Sequence, residues 1–199
     1  MKPGPEKQFD PDTALEQAIE VFLSRGYEAA SLNELTTAMG IGKKSLYDTF
    51  GNKRSLFLKS LAHYNQQSNS RIRAILFDDS GPSIVHNINT LFAKWLESHS
   101  KDGSKGCLIG TSIADFDTSD EEVASALRRS LEQVEDVLTE AVAKADANGE
   151  LNLKTTPRNI ARTLLCLSQG VALLGRVMTS GDILESAFKV AESEILSPA

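Results

Sequence analysis

The feature that most constrains this chain is the recurrence of apolar residues at three- and four-residue spacing, broken at intervals by proline, glycine and small polar residues. That spacing places apolar side chains along one face of an α-helix, and the interruptions stand where helices begin and end. No stretch alternates apolar and polar residues over the length of a β-strand, and no repeat of roughly 20 to 50 residues is present. The sequence therefore predicts an all-α protein of about nine helices.

Proline, glycine and capping residues also predict the helix boundaries. Asp10 followed by Pro11 is typical of a helix cap and a first-turn proline. The spacing of Ser31 and Glu34 fits a capping box, in which each side chain bonds the backbone amide of the other residue. From these signals we expect helices over about 11–26, 31–40, 43–50, 53–77, 82–100, 107–116, 119–148, 157–179 and 182–196.

Charge is distributed unevenly along the 199 residues, which carry a net charge of −6. The stretch 42–59 contains five basic residues and one acidic residue, whereas 115–150 contains eleven acidic and three basic residues. An acidic protein can still bind a polyanion where its cations are concentrated, because the distribution of charge sets the local field. The short basic stretch is therefore the candidate phosphate-binding surface.

This basic stretch overlaps two short helices joined by a turn at 40–42. Two glycines in three residues make a continued helix costly and permit a tight turn. The two helices carry apolar residues four positions apart, namely Leu35, Met39, Leu46 and Phe50. Residues 31–50 thus have the pattern of a helix-turn-helix, whose second helix enters the DNA major groove.

The outer face of the second short helix carries groups that suit DNA. Lys44 can donate to guanine acceptors and Asp48 can accept from cytosine N4, so both are candidates for reading bases. Hydroxyls, lysines and the free amides of helix starts suit phosphate contacts. The predicted DNA-contacting set is Ser31, Gly42, Lys43, Lys44, Ser45, Tyr47, Asp48 and Lys53. Periodicity alone is also compatible with a solvated helix face.

This region resembles the TetR-type (tetracycline-repressor-like) DNA-binding domain. The residues that carry the resemblance are Ala18, Phe22, Gly26, Tyr27, Ser31, Gly40, Leu46, Tyr47, Phe50 and Lys53. Gly42 departs from the pattern, since members of that family often have Ser or Thr there. Glycine remains a tolerated helix cap, at a cost of a few tenths of a kcal/mol relative to serine.

The resemblance implies a DNA-binding domain over 8–68, with its helix-turn-helix at 31–50, and a regulatory and dimerisation domain over 69–199. It implies a homodimeric, sequence-specific transcriptional regulator, specifically a repressor bound to a palindromic operator in double-stranded DNA. An unidentified small-molecule or oxidant inducer would occupy the second domain, displace the fourth helix and release the operator.

The last two helices are the predicted dimer interface. They combine small residues with leucines, and small residues allow two helices to approach closely. The predicted interface set is Leu164, Ser168, Val171, Ala172, Gly175, Leu184, Ala187, Phe188 and Ala191. Each of these residues also suits the core of a single protomer.

The predicted inducer contacts are His63, Phe92, Trp95, Cys107 and Phe116. Aromatic residues often line apolar cavities, although they more often form plain core, and a single helical histidine is commonly structural or solvated. Cys107 stands near Lys105 at an expected helix start, and both features favour the reactive thiolate. An oxidant- or electrophile-sensing role for Cys107 and a packing role beneath the loop both remain open.

Other functions find little support in the residues. The HExxH, GxSxG, P-loop and dinucleotide-binding glycine motifs are missing, and the two cysteines, Cys107 and Cys166, lack metal-ligand spacing. Cys166 stands among leucines and is expected in the core. We therefore expect neither catalysis nor a cofactor or metal site.

Localisation and two rival functions complete the expectations. A cytoplasmic protein without a membrane contact is expected, since no apolar run is long enough to span a bilayer and the first residues lack a signal-peptide core. One rival is a dimeric DNA-binding architectural or cell-organisation protein without a small-molecule ligand. The other is a helical module that binds a protein through its acidic stretch.

Overall fold

The computed structural model describes residues 9–100, 104–117, 119–178 and 182–196. These residues form nine α-helices and contain no β-strand, which confirms the predicted fold class. The helices are α1 (Pro11–Arg25), α2 (Leu32–Met39), α3 (Lys43–Phe50), α4 (Lys53–Leu76), α5 (Ile84–His99), α6 (Leu108–Asp115), α7 (Glu121–Ala147), α8 (Pro157–Leu174) and α9 (Asp182–Val190), and a π-helical turn follows at Ala191–Ile195.

The helix starts at the amino end form as their capping residues predict. The Asp10 carboxylate accepts from the amides of Asp12 and Thr13. Ser31 and Glu34 form the reciprocal capping box, with the Glu34 amide 3.2 Å from Ser31 Oγ and the Ser31 amide 3.1 Å from Glu34 Oε2. These bonds satisfy amides that a helix start otherwise leaves without a partner.

Three helix boundaries differ from the prediction. The fifth helix does not begin at Pro82 but at Ile84, because Ser83 caps it by accepting from the amide of His86 at 3.1 Å. The eighth helix ends at Leu174 and the chain turns at Gly175, several residues before the expected end near 179. The ninth ends at Val190, where the π-helical turn takes over.

The buried apolar side chains form two clusters. The first joins α1, α2, α3, the amino-terminal half of α4, α6 and the start of α7. The second joins the end of α4 with α5, the rest of α7, α8 and α9. The expected domain boundary between residues 68 and 69 therefore falls within α4, which contributes Phe57 to the first cluster and Leu76 to the second.

Polar bonds also connect the amino-terminal helices to the rest of the molecule. Arg54 at the start of α4 binds Asp120 at the start of α7, with Nε 2.6 Å from Oδ2. The amide of Glu28 donates to Asp115 Oδ2 at 3.1 Å, which links the α1–α2 loop to the end of α6. These bonds connect α4 with α7 and the α1–α2 loop with α6.

Candidate functional site

The recognition helix α3 is held in place by its apolar side. Leu46 is fully buried and Phe50 is 3% exposed, and both lie in the same cluster as Leu35 and Met39 of α2. Gly40 ends α2 in a left-handed conformation, with φ of 66°, which a residue with a side chain adopts only at a cost. The turn and the shared core fix the angle at which α3 projects.

The opposite side of α3 faces solvent. Lys43, Lys44 and Asp48 are exposed, Tyr47 is 50% exposed and Ser45 is half-buried. The structure thus brings the predicted DNA-contacting residues of α3 together on one accessible surface. Gly42 caps this helix without a side-chain hydrogen bond, as its lack of a hydroxyl requires.

Two lysines of α4 flank this surface and support it. Lys53 Nζ donates to the backbone oxygen of Glu28 at 3.0 Å and lies 4.7 Å from the centre of the Tyr27 ring. Lys59 Nζ donates to the backbone oxygen of Thr49 at 3.0 Å and so binds the end of α3. Because neither bond is to a carboxylate, both positive charges remain available to phosphate.

Ser31, the remaining predicted contact, is exposed but already bonded. Its hydroxyl donates to Glu34 Oε2 at 2.8 Å while accepting from the Glu34 amide. Those bonds hold down the pKa of the Glu34 carboxyl, so Glu34 stays negatively charged beside the hydroxyl. Ser31 therefore has a structural role as a cap in this structure.

A cavity of about 680 Å³ lies between the second cluster and the amino-terminal helices. Its wall comes from α4, α5, α8 and the loop 104–107, with single side chains from α1, α6 and α7. Its size is within the usual range of small-molecule pockets. Lining residues include Tyr64, Arg71, Lys94, Trp95, Lys105 and Cys107.

Cys107 caps α6 at the edge of this cavity. Tyr64 Oη donates to Cys107 Sγ at 3.6 Å, and burial, followed by the nearby thiol, raises the pKa of Tyr64. The phenol therefore stays protonated and remains a donor. The Lys105 ammonium binds Glu20 Oε2 of α1 at 2.5 Å, so its charge is shared with a carboxylate instead of acting on the thiol alone.

Of the predicted inducer contacts, only Trp95 and Cys107 are among the described residues that line this cavity. His63 lies instead near Gln67 and Glu16, with its Nε2 3.9 Å from Glu16 Oε1. Phe92 is 5% exposed and packs in the second cluster, and Phe116 packs against the first. His63 and Phe92 line other, smaller pockets, and helical periodicity does not indicate which pocket a residue lines.

Sequence reasoning missed the polar residues of the cavity wall. Tyr64 has the spacing of a core residue, and Arg71 and Lys94 look like ordinary solvated residues of a helix. Only the relative placement of α4 and α5 shows that they share a cavity. Lys105 stands out in the sequence only for its closeness to Cys107.

The predicted dimer-interface residues lie mainly inside the protomer. Eight of them are buried within the single chain, namely Leu164, Ser168, Val171, Ala172, Gly175, Leu184, Phe188 and Ala191. Gly175 packs against α5, where an added Cβ would lie 2.1 Å from the His99 backbone oxygen. Ala187 is half-buried. The predicted interface residues therefore lie mainly on the faces of α8 and α9 that point into the protomer. Cys166, which was expected in the core, is exposed on the outward face of α8.

The chain matches two family models over most of its length. Residues 14–59 match the bacterial regulatory proteins of the tetR family, and residues 85–191 match the tetracyclin repressor-like C-terminal domain. The chain belongs to the TetR family of transcriptional regulators. It is accordingly a sequence-specific DNA-binding protein, and the predicted resemblance is confirmed.

Two curated TetR-type relatives span nearly the whole chain. An uncharacterized HTH-type transcriptional regulator of Bacillus subtilis, YezE, is 31% identical over 96% of this chain and 98% of its own length. The HTH-type transcriptional repressor ComR of Escherichia coli is 29% identical over 94% of this chain and 88% of its own length. These relatives favour transcriptional regulation over an architectural role.

Solved TetR-family structures share the fold. A cysteine mutant of the regulator CifR, complexed with 26-base-pair operator DNA, has a TM-score of 0.82 and 29% identity, covering 95% of this chain and 99% of that one. Reduced NemR of Escherichia coli has a TM-score of 0.85 and 24% identity, covering 94% and 97%.

The described part of the chain shows neither a membrane span nor a metal cluster. Among the described helices, none combines the length and apolar character needed to cross a bilayer. The described residues also contain no group of three or more His, Cys, Asp and Glu side chains placed to hold a metal ion.

Proposed function

We propose that this protein is a homodimeric repressor that binds a palindromic operator with two copies of α3 and leaves it when a small molecule occupies the cavity. The exposed basic face of α3, opposite the buried Leu46 and Phe50, is the observation that carries the proposal. The CifR relative, solved with operator DNA, supports operator binding by this chain.

The accessible residues of α3 and their neighbours have proposed tasks on DNA. Lys44 and Asp48 read base edges in the major groove, and Ser45 makes a permissive contact between them. Lys43, Tyr47, Lys53 and the free amides that follow Gly42 contact phosphates and set the register of the helix on DNA, while Ser31 keeps its role as the cap of α2.

The binding experiment measures fluorescence anisotropy with an operator fragment selected from the source genome and with base-substituted copies. Lys44→Ala should relax discrimination at one base pair by about 1–3 kcal/mol, since a base contact is lost. Lys53→Ala should weaken all fragments alike and reduce the slope of log affinity against log salt by roughly one. Lys154→Ala, an exposed cation outside the site, is the control. Equal loss of affinity in all three variants would contradict the assignment.

We infer that the homodimer forms through the outward face of α8 and α9. On α8 and the turn after it, Cys166, Leu173, Leu174 and Val177 are exposed at helical spacing, and Val177 is 77% exposed. Ile183 and Val190 are exposed on α9. A helix that is apolar on both faces requires cover on both, and a second copy supplies the cover here.

The cavity is the proposed inducer site. Gln169 Oε1 is buried in its neighbourhood without a hydrogen-bond partner among the described residues, so an acceptor is available to a ligand. The cavity is lined by α4 and by the loop 104–107, whose Lys105 binds Glu20 of α1. A ligand in the cavity can therefore affect the position of the helix-turn-helix through α4 and α1.

Cys107 is the proposed point of attack for an oxidant or electrophile. Its position at the cavity, as an acceptor from Tyr64, supports this role. Cys107→Ser should abolish operator release by peroxide or a quinone, whereas the exposed-thiol variant Cys166→Ser should release as the parent does. Unchanged release from Cys107→Ser would remove the role.

The proposal also includes a cytoplasmic location and the lack of any catalytic activity. Both follow from the requirement that the protein reaches chromosomal DNA and acts by occupancy of an operator. The architectural alternative requires DNA binding that no small molecule weakens, and the cavity argues against it.

A further inference from the structure

The charges around the cavity are of one sign. Arg71, Lys94 and Lys105 line it, and no Asp or Glu is among its described lining residues. The stretch 115–150 contains eleven carboxylates, yet none of them reaches the described wall. The cavity is therefore a local positive site within an acidic domain.

Two of the three cations have no carboxylate partner among the described residues. Lys105 binds Glu20, whereas Arg71 and Lys94 form no ion pair with a described residue. By contrast Arg73, on the same helix as Arg71, binds the Glu140 carboxylate through its two terminal nitrogens, Nη1 at 2.8 Å and Nη2 at 3.1 Å. The cavity wall thus holds two positive charges that no described carboxylate neutralises.

Two other titratable groups of the wall, His99 and Tyr64, add no charge of their own near pH 7. Burial lowers the pKa of His99, which keeps the imidazole uncharged, and Tyr64 remains protonated. The rest of the wall is largely apolar, with Leu23, Ile72, Ile75, Leu91, Trp95, Ile109, Val134 and Ala172. An occupant therefore meets an apolar surface over most of its area, together with the exposed positive charges of Arg71 and Lys94.

We propose that the cavity binds an amphipathic organic anion, whose apolar skeleton contacts the helix walls and whose carboxylate or sulfonate group binds Arg71 and Lys94. This ligand class rests on the proposed inducer site and narrows it. Cations and neutral apolar molecules of the same size are bound less tightly, because they gain no ion pair with Arg71 or Lys94.

The proposal also gives Lys105 a task in release. An anion in the cavity competes with Glu20 for the Lys105 ammonium and weakens the bond between the cavity loop and α1. The ion pair between Lys105 and Glu20 joins the cavity loop to α1. Occupancy is thereby linked to the position of the DNA-binding helices.

The test uses two dyes with the same skeleton on the free full-length protein. 1-Anilinonaphthalene-8-sulfonate carries a sulfonate, and N-phenyl-1-naphthylamine lacks it. Trp95 is the sole tryptophan of the sequence and lies in the cavity wall, so quenching of its emission reports a dye bound there. We expect the sulfonate dye to quench Trp95 and to bind at least about ten-fold more tightly than the neutral dye.

A charge-matched pair of variants locates the effect. Arg71→Gln with Lys94→Gln should weaken the sulfonate dye about ten-fold and change the neutral dye by less than about two-fold. Arg73→Gln with Lys144→Gln removes the same charge outside the cavity and should leave both dyes unchanged. Circular dichroism confirms that each variant is folded.

Three results would overturn the proposal: equal affinity for the two dyes, sulfonate binding without quenching of Trp95, or equal losses in the two double variants. None of these measurements includes DNA, so they leave the repressor function standing. Conversely, a protein that retains no DNA fragment but discriminates between the dyes as expected would contradict the proposed function alone.

Discussion

At the scale of single residues, two glycines at helix ends have opposite surroundings. An added Cβ at Gly42 meets no described atom within 4 Å, whereas at Gly175 it would lie 2.1 Å from the His99 backbone oxygen. Both residues have negative φ, of −74° and −60°, so neither needs glycine for its backbone conformation. Space alone distinguishes the two positions.

The same substitution at both sites should therefore have opposite effects. Gly42→Ser supplies the missing cap of α3 and should raise the free energy of unfolding by a few tenths of a kcal/mol. Gly175→Ser forces α8 away from α5 and should lower it by about 1–3 kcal/mol. Urea unfolding followed by circular dichroism measures both. A loss at Gly42 as large as that at Gly175 would show that the clash with His99 is not the cause.

At the scale of elements, α8 is a helix with two apolar faces. Leu164, Leu165 and Val171 are buried in the second cluster, and Cys166, Leu173 and Leu174 are exposed on the other side. A sequence pattern that is apolar all round predicts burial on both faces but does not tell which face packs in the protomer. For that reason the sequence led to the inward face of α8, which the protomer itself covers.

Val177→Asp tests the outward face. A charge placed at this exposed position should weaken the dimer at least about ten-fold, because an unpaired carboxylate would be desolvated on association. Sedimentation velocity over a concentration series gives the dissociation constant. Ala143→Asp, on an exposed position of α7, should leave it unchanged. A Val177→Asp protein that sediments like the parent would place the interface elsewhere.

At the scale of the whole molecule, α4 and α7 pass through both apolar clusters, and their starts are joined by the Arg54–Asp120 ion pair. The hydrogen bond from Arg54, together with the Val123 amide that Asp120 caps, lowers the pKa of Asp120 from 3.8 to about 2. The folded state thus favours the ionised carboxylate. Its contribution to stability is complete above about pH 4 and is lost as the pH falls towards 2.

Asp120→Asn should keep the cap, since asparagine caps helices well, while removing the charge. The variant should be less stable than the parent at neutral pH, and the difference should shrink as the pH falls from 4 towards 2. Urea midpoints from pH 7 down to 2 measure it. Asp48→Asn removes an exposed carboxylate of α3 as the control. A difference that stays constant with pH would contradict the ionic role of Asp120.

The sequence predicts features that depend on residues close together along the chain, and it does not predict features that depend on how helices pack. The capping box at Ser31, the turn at 40–42 and the extent of α3 depend on neighbours along the chain, and the sequence predicts all of them. The cavity is different, because Arg71 and Trp95 meet only when α4 packs beside α5. Ion pairs such as Lys105 with Glu20 join residues 85 positions apart, and no periodicity indicates them.

Because α4 is one continuous helix, a tilt at one of its ends also moves the other end. Its 24 residues span about 36 Å at 1.5 Å per residue, with the cavity near one end and the helix-turn-helix at the other. A tilt of about 5° then moves the far end by roughly 3 Å, a large error for side chains that must meet base edges. A ligand therefore needs to tilt α4 only slightly to release the protein from its operator. A proline introduced midway along α4 would kink the helix, so that movement at the cavity end would no longer move the other end. Such a variant would no longer respond to its ligand.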